Sequence, residues 1–359
     1  MSRVINFSPG PATLPSYVLE RAKEDIWDYN GCGIGVMELS HRSAQFIEII
    51  EKTEALARRL LKIPSNYKVL FTTGGGSNQF SMIPMNLVED GQEANFILSG
   101  FWAERAATEA EKFCPVHIAG STKDLGYRSI PTDFTLSKNP AYLHFTSNNT
   151  IYGTQCLSEP KIEANVPLVC DASSDIFSRE IEVAKYGAIY AANQKNAGTA
   201  GVTTVIIREE LLARSKERLP VMMNYKTYAD NNSLYNTPPT FSIYIAMRTL
   251  EWIEQEGGVA QMSIRANQRA KLLYDCIDRN ELYVGYAEET SRSSMNVTLH
   301  LKKDPLTAKL IQEASNRGIS GLSGYRTMGG LRISLYNAAP VAWVEALVEF
   351  LEQFAIEHQ

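Results

Sequence analysis

Seven short apolar runs, Lys68–Thr72, Asn95–Leu98, Pro115–Ile118, Ala141–Phe145, Pro167–Asp171, Gly187–Ala192 and Gly201–Ile207, alternate with polar or amphipathic stretches. Strands this short, interleaved with helix-forming segments, constrain the fold to α/β, with a mostly parallel sheet covered on both faces. In such a sheet ligands gather in the crevice outside the carboxyl ends of the strands. The turns at Gly74 to Ser77, Trp102, Thr150, Asp171 and Lys195 each follow one of these runs. They are therefore expected to converge on one site.

Two of these positions suggest a chemistry. The stretch Tyr190 to Gly201 leaves an apolar segment for a turn of small residues and sets Lys195 within it. A lysine held close to other groups there is desolvated, which lowers its pKa and exposes a nucleophilic amine. Leu168-Val169-Cys170-Asp171 aims a carboxylate out of a strand end, where it can keep a pyridinium nitrogen protonated. A Schiff-base lysine and a pyridinium-facing aspartate together suggest pyridoxal phosphate. The residues alone leave open a solvated loop lysine and an aspartate that merely caps a helix. Gly74-Gly75-Gly76, delivering a strand to a helix that starts at Ser77, offers free N–H groups to a phosphate. It matches neither G-x-G-x-x-G nor G-x-x-x-x-G-K-[ST], which argues against a nucleotide-binding oxidoreductase. Trp102 reads either as core or as a flat face for a bound ring. Pro84 is expected to kink or shorten the helix that runs through Phe80, Ile83 and Leu87.

The remaining chain fits around this centre. Ser8-Pro9-Gly10-Pro11 is a turn, Leu19 to Trp27 a first helix, and Gly31 to Gly35 a break. Ser40-His41-Arg42-Ser43 leads into a long amphipathic helix marked by Phe46, Ile49, Ile50, Leu56, Leu60 and Leu61, with Ser40 or Ser43 as its cap. Two cationic side chains beside a helix amino terminus oppose the macrodipole, a conflict that an anion between them would relieve. Asn236-Thr237-Pro238-Pro239-Thr240 precedes another helix, with Thr240 the expected N-cap. Gly257-Gly258 marks a joint. Beyond it Val259 to Arg279, Met295 to Leu301, Pro305 to Arg317, Leu331 to Tyr336 and Pro340 to Ile356 read as an α+β unit. There Arg332 shares a strand face with Ser334 and Tyr336, and reads either as a surface residue or as a fork for a carboxylate or phosphate.

The chain's 359 residues suit about two domains. Its net charge of -5 and lack of a basic run argue against nucleic acid or lipid as partners. No stretch resembles a signal peptide or a membrane span. The 5 cysteines are scattered and odd in number, and the 5 histidines are dispersed, so a reducing cytoplasm and no metal site are expected.

In Asn6 to Ala12, Ser40 to Ser43, Gly74 to Gly76, Phe101 to Ala103, Asn149 to Ile151, Gln194 to Asn196, Asn236 to Thr240, Gly329 to Arg332 and Tyr336-Asn337, the chain resembles the phosphoserine aminotransferases. These are fold-type I pyridoxal 5'-phosphate enzymes of the class-V aminotransferases, and the resemblance spans nearly the whole length. It implies a large cofactor-binding domain over 16–258 and a small one built from 1–15 and 259–359. It implies that Lys195 forms the Schiff base, Asp171 pairs with the ring nitrogen, Trp102 stacks on the ring and Thr150 contacts its phenolic oxygen. Gly76, Ser77 and Gln194 would hold the cofactor phosphate, joined by Asn236 and Thr237 from the second subunit of a homodimer with active sites at its interface. His41, Arg42, Arg326 and Arg332 would bind the anionic ends of the substrates, with Ser8 nearby. The implied reaction moves an amino group between glutamate and 3-phosphohydroxypyruvate, giving phosphoserine and 2-oxoglutarate in L-serine biosynthesis, with a use in pyridoxine biosynthesis left open. Two departures stand out. Tyr325-Arg326 replaces a common His-Arg, and Ser77-Asn78 follows the glycine run where some members carry arginine. Losing a phosphate partner at Tyr325 bears on substrate preference and leaves the cofactor chemistry intact. The rivals are an aminotransferase or lyase for another small keto or amino acid, a desulfurase with an exposed cysteine, and a non-catalytic binding protein.

Overall fold

The computed structural model describes residues 3–162 and 165–358. Residues 1, 2 and 359 of the expected small domain, and 163 and 164 of the large one, lie outside the described residues.

A seven-stranded sheet runs in the spatial order Tyr67–Thr72, Thr203–Arg208, Ala188–Ala192, Leu168–Asp171, Pro140–Thr146, Glu93–Leu98, Val116–Ser121. Only Thr203–Arg208 is antiparallel to its neighbours. Its strands alternate between two cores, as the two-residue period requires. Leu168 and Cys170 face the cluster that includes Phe46, Ile49 and Ile243. Val169 faces the opposite one, built with Phe80, Ile83 and Ala106. Helices Ala44–Leu61 and Thr240–Gln255 cover the first face, Gly75–Leu87 and Phe101–Ala110 the second. Near-continuous apolar strands follow from burial on both sides.

Local chemistry sets where these helices begin. The Ser43 hydroxyl accepts from the Phe46 N–H at 3.3 Å, so Ser43 rather than Ser40 caps the long amphipathic helix. Gly75–Leu87 opens two residues before the expected Ser77 because Gly74, at φ +90°, already turns the chain into it. A Cβ on Gly74 would lie 2.5 Å from that of Asn78, so the turn demands glycine twice over. Pro84 sits inside this helix, which ends one turn later at Leu87. Thr240 is not an N-cap: it is the first helical residue, and Pro239 before it (φ -71°) sets the entry without a side-chain bond. The stretch between Ser121 and Asn139 holds only the short turn Lys123–Leu125.

A second sheet, of Tyr283–Gly285, Asn296–Leu301 and Leu331–Ser334, is antiparallel. With helices Gly258–Asp278, Leu306–Asn316 and Val341–His358 it encloses a separate core that also takes in Phe7. The reason lies at the amino end, where Ile5–Asn6 pairs in parallel with Ile319–Ser320. This two-residue strand and Tyr283–Gly285 carry too little pattern to be read from sequence. None of the described helices is long and apolar enough to cross a membrane.

Candidate active site

Beyond the carboxyl ends of the central strands lies a cavity of ≈ 340 Å³, within the range of small-molecule sites. Lys195 enters it from the turn after Ala188–Ala192, and its Nζ donates to Thr150 Oγ1 at 2.8 Å. Burial lowers the amine to about 8, against the partial support of the Asp171 charge and with Arg332 adding to the depression. Asp171 ends its strand in the same cavity, 6 % exposed. Burial raises its carboxyl, and the Ser173 N–H, donating to Oδ1 at 2.9 Å, opposes that. The result is an amine whose unprotonated form is far more populated at neutral pH than that of an ordinary lysine, facing the Asp171 carboxyl across a small space. Lys195 is thus not a solvated loop lysine, and Asp171 lines the cavity while also accepting a capping-type bond from the Ser173 N–H.

Gly76, Ser77, Trp102, Gln194 and Arg332 line the same cavity. Gly76 and Ser77 occupy the first turn of Gly75–Leu87, where backbone N–H groups have no acceptor within the helix and the dipole favours an anion. A Cβ on Gly76 would approach Ser173 Oγ to 3.4 Å, so the wall there is bare backbone. Arg332 is 8 % exposed, so it is no surface residue, and its Nε has no hydrogen-bond partner. Thr146 Oγ1, also on the wall, lacks one too. Orphaned buried donors beside a cavity are explained by a ligand that satisfies them. An aldehyde-accepting amine, a carboxylate, a flat indole and a helix amino terminus fit the chemistry of pyridoxal phosphate.

The other expected residues stand elsewhere. Thr237 Oγ1 and His41 Nδ1 meet at 3.2 Å, and Arg42 Nε lies 3.4 Å from His41 Nε2. Arg42, Asn236 and Thr237 are exposed, and none of this group lines the cavity. Arg326 is exposed on its loop, and Ser8 precedes the Pro9-Gly10 that does line it.

Several lining residues were not expected there. Pro9 and Gly10 read as a turn, Phe80 as helix core, and Asn148, Ser173 and Ser174 carried no motif. The serine pair Ser173-Ser174, one residue beyond Asp171, was the one usable signal. Beneath the cavity Asp175 accepts from Gln155 Nε2 and Arg179 Nε, each at 3.3 Å, and forms a short bond with Ser147 Oγ. That buried network anchors the strand end that carries Asp171. None of the 5 cysteines lines the cavity, which disfavours a desulfurase. Among the described residues no group of three His, Cys, Asp or Glu could hold a metal ion.

The model of the family described as aminotransferase class-V matches residues 4–347. The chain is 47% identical over 360 residues to a phosphoserine aminotransferase of Lysinibacillus sphaericus (strain C3-41), covering 99% of each chain. Its structure matches the phosphoserine aminotransferase from Bacillus circulans subsp. alkalophilus with a TM-score of 0.97 at 44% identity, covering 99% of each chain. It also matches the PLP-bound phosphoserine aminotransferase from Trichomonas vaginalis, with a TM-score of 0.91 at 34% identity, covering 98% of this chain and 100% of that one.

Proposed function

The chain belongs to the class-V aminotransferase family, and from that premise we propose that it moves an amino group between glutamate and 3-phosphohydroxypyruvate. It is an aminotransferase whose cofactor is pyridoxal 5'-phosphate. The products are phosphoserine and 2-oxoglutarate, which places the reaction in L-serine biosynthesis. The observation that supports this most is the Lys195 amine, pushed down to about 8 and held on Thr150 opposite Asp171.

In this reading Lys195 holds the cofactor aldehyde, Asp171 its ring nitrogen, Trp102 its face and Thr150 its ring oxygen. Gly76, Ser77 and Gln194 hold its phosphate. When bound, the cofactor supplies an electron sink for the carbanion left on loss of the α-proton. Lys195 Nζ, set in the cavity on Thr150, would take the substrate α-proton and return it, as base and then acid. A pKa near 8 suits both roles, since neither protonation state is far from populated at neutral pH. Burial raises the Asp171 carboxyl and the Ser173 N–H opposes that; a protonated ring nitrogen beside it would favour the carboxylate. Arg332 offers its fork to the substrate α-carboxylate.

His41, Arg42, Asn236 and Thr237 serve a second copy of the chain in a homodimer. The contacts of His41 with Thr237 and Arg42, and the absence of all four from the lining of the chain's own cavity, support that assignment. Arg326 reaches the substrate phosphate from its exposed loop, with Ser8 beside the entrance. The large domain spans 16–258 and the small one 1–15 with 259–359, the latter supported by the packing of Phe7 into the second core. The location is cytoplasmic, a reading supported by 5 free cysteines.

The test is an assay of purified holoprotein with glutamate and 3-phosphohydroxypyruvate, against glutamate with hydroxypyruvate or glyoxylate. A preference for the phosphorylated acceptor is expected. Equal or better turnover of an unphosphorylated one would transfer the chain to the rival reading, an aminotransferase for another small keto acid, which Tyr325 in the cavity wall would then favour.

A further inference from the structure

The loop 321–330 carries Tyr325 and returns the chain to Arg332. It is closed on itself: the Gly324 N–H donates to the Gly330 carbonyl at 3.0 Å, and the Met328 and Gly329 N–H groups both donate to the Tyr325 carbonyl, at 2.8 and 2.9 Å. A Cβ on Gly324 would lie 1.7 Å from the Gly329 carbonyl oxygen, so the two limbs are pressed together. From this closed loop the Tyr325 side chain reaches the cavity wall. The Arg332 guanidinium lies 5.8 Å from the centre of that ring. The ring rests against Phe101, centroids 5.7 Å apart and planes at 49°, and Phe101 stands edge-on to Trp102 at 5.1 Å. An aromatic row thus runs from the cavity's indole to its arginine.

Arg332 needs such a support. Its side chain is buried, its Nε has no partner, and among the described residues no carboxylate pairs with it. A long flexible cation without an ionic anchor loses freedom when it binds a ligand, and that ordering weakens binding. The face of an aromatic ring attracts a guanidinium through its quadrupole and restricts it in advance. We propose that Tyr325, braced by Phe101, is the positioning residue that keeps the Arg332 fork turned into the cavity for the carboxylate common to amino donor and keto acid. The inference rests on the reading of Arg332 given under Proposed function. The ring face does this, and the hydroxyl is dispensable.

Tyr325→Leu is expected to raise the KM for glutamate and for the keto acid together, by about tenfold, the change that ~1.4 kcal/mol of lost orientation produces. kcat should stay within about twofold, since Lys195 and Asp171 are untouched. Tyr325→Phe should behave as the parent protein. In an Arg332→Lys background Tyr325→Leu should cost nothing further, because the group it orients is gone. A Tyr325→Leu protein with unchanged KM values, a Tyr325→Phe protein as impaired as Tyr325→Leu, or a full additive loss in the Arg332→Lys background would each overturn the proposal. The glutamate half-reaction is followed separately, through the absorbance of the bound cofactor. A wrong acceptor then shows in the parent protein, whereas a wrong role for Tyr325 shows only in the variants.

Discussion

The cavity around Lys195 and the exposed cluster of His41, Arg42 and Thr237 carry similar polar groups in opposite surroundings. In the cavity burial pulls the amine down to about 8 and raises the carboxyl of Asp171. The cluster lies on the segments that lead into helices Ala44–Leu61 and Thr240–Gln255, and there Arg42 and Thr237 stand in solvent. A strand end makes a side chain reactive by removing water from it, whereas a surface loop only presents a side chain to whatever docks there. One region carries chemistry within a single chain. The other gains its proposed role only when a second copy of the chain supplies the walls.

The comparison breaks most visibly at Lys195. Lys195→Ala should lower kcat by at least about 10⁴-fold and abolish borohydride trapping of the cofactor, since both covalent attachment and proton transfer go with the amine. Peptide mapping of the trapped parent protein at Lys195 checks the attachment. Asp171→Asn, which keeps the shape and removes the charge, should cost about 10²- to 10³-fold in kcat as measured in steady state. Cluster variants should differ in kind. Asn236→Ala with Thr237→Val should weaken cofactor affinity by about tenfold or more through lost phosphate contacts, as followed by absorbance titration. If these residues serve the neighbouring copy, mixing that variant with Lys195→Ala should restore activity up to about a quarter of the parent level in re-formed mixed dimers. No recovery on mixing would return Asn236 and Thr237 to their own chain.

The smallest effect is one of pH, and it separates a buried amine from an exposed one. Nζ attacks an aldehyde only when deprotonated. Lowering its pKa from 10.5 to about 8 therefore enlarges the reactive fraction at neutral pH. In cofactor-free protein the rate of imine formation should rise to about pH 8 and level off, gaining about fivefold between pH 7 and 8. A rate still climbing towards pH 10 would mean that Lys195 is solvated.

What could be read in advance follows the same division. Asp171, Lys195 and Trp102 were legible because each ends or follows a short apolar run, and sheet geometry alone sends such positions to one crevice. The burial of Arg332 was not, because alternation in Leu331–Ser334 tells two faces apart without saying that both are covered. Phe80 was taken for helix core: period alone cannot distinguish a side chain that meets another helix from one that meets a cavity. The meeting of His41 with Thr237 joins segments far apart in the chain, and no local pattern records it. Only the resemblance placed these two in a site, His41 as a substrate residue and Thr237 as a residue of the second subunit.

The pairing of Ile5–Asn6 with Ile319–Ser320 also orders events in time. During synthesis the first strand emerges early, yet its partner follows roughly 15–60 s later at ordinary elongation rates. Until then Pro9 and Gly10, which close one wall beside Lys195, lack the hydrogen bond that Tyr336 Oη donates to the Pro9 carbonyl at 2.9 Å. A nascent chain can thus complete its central sheet while its reactive lysine is still uncovered.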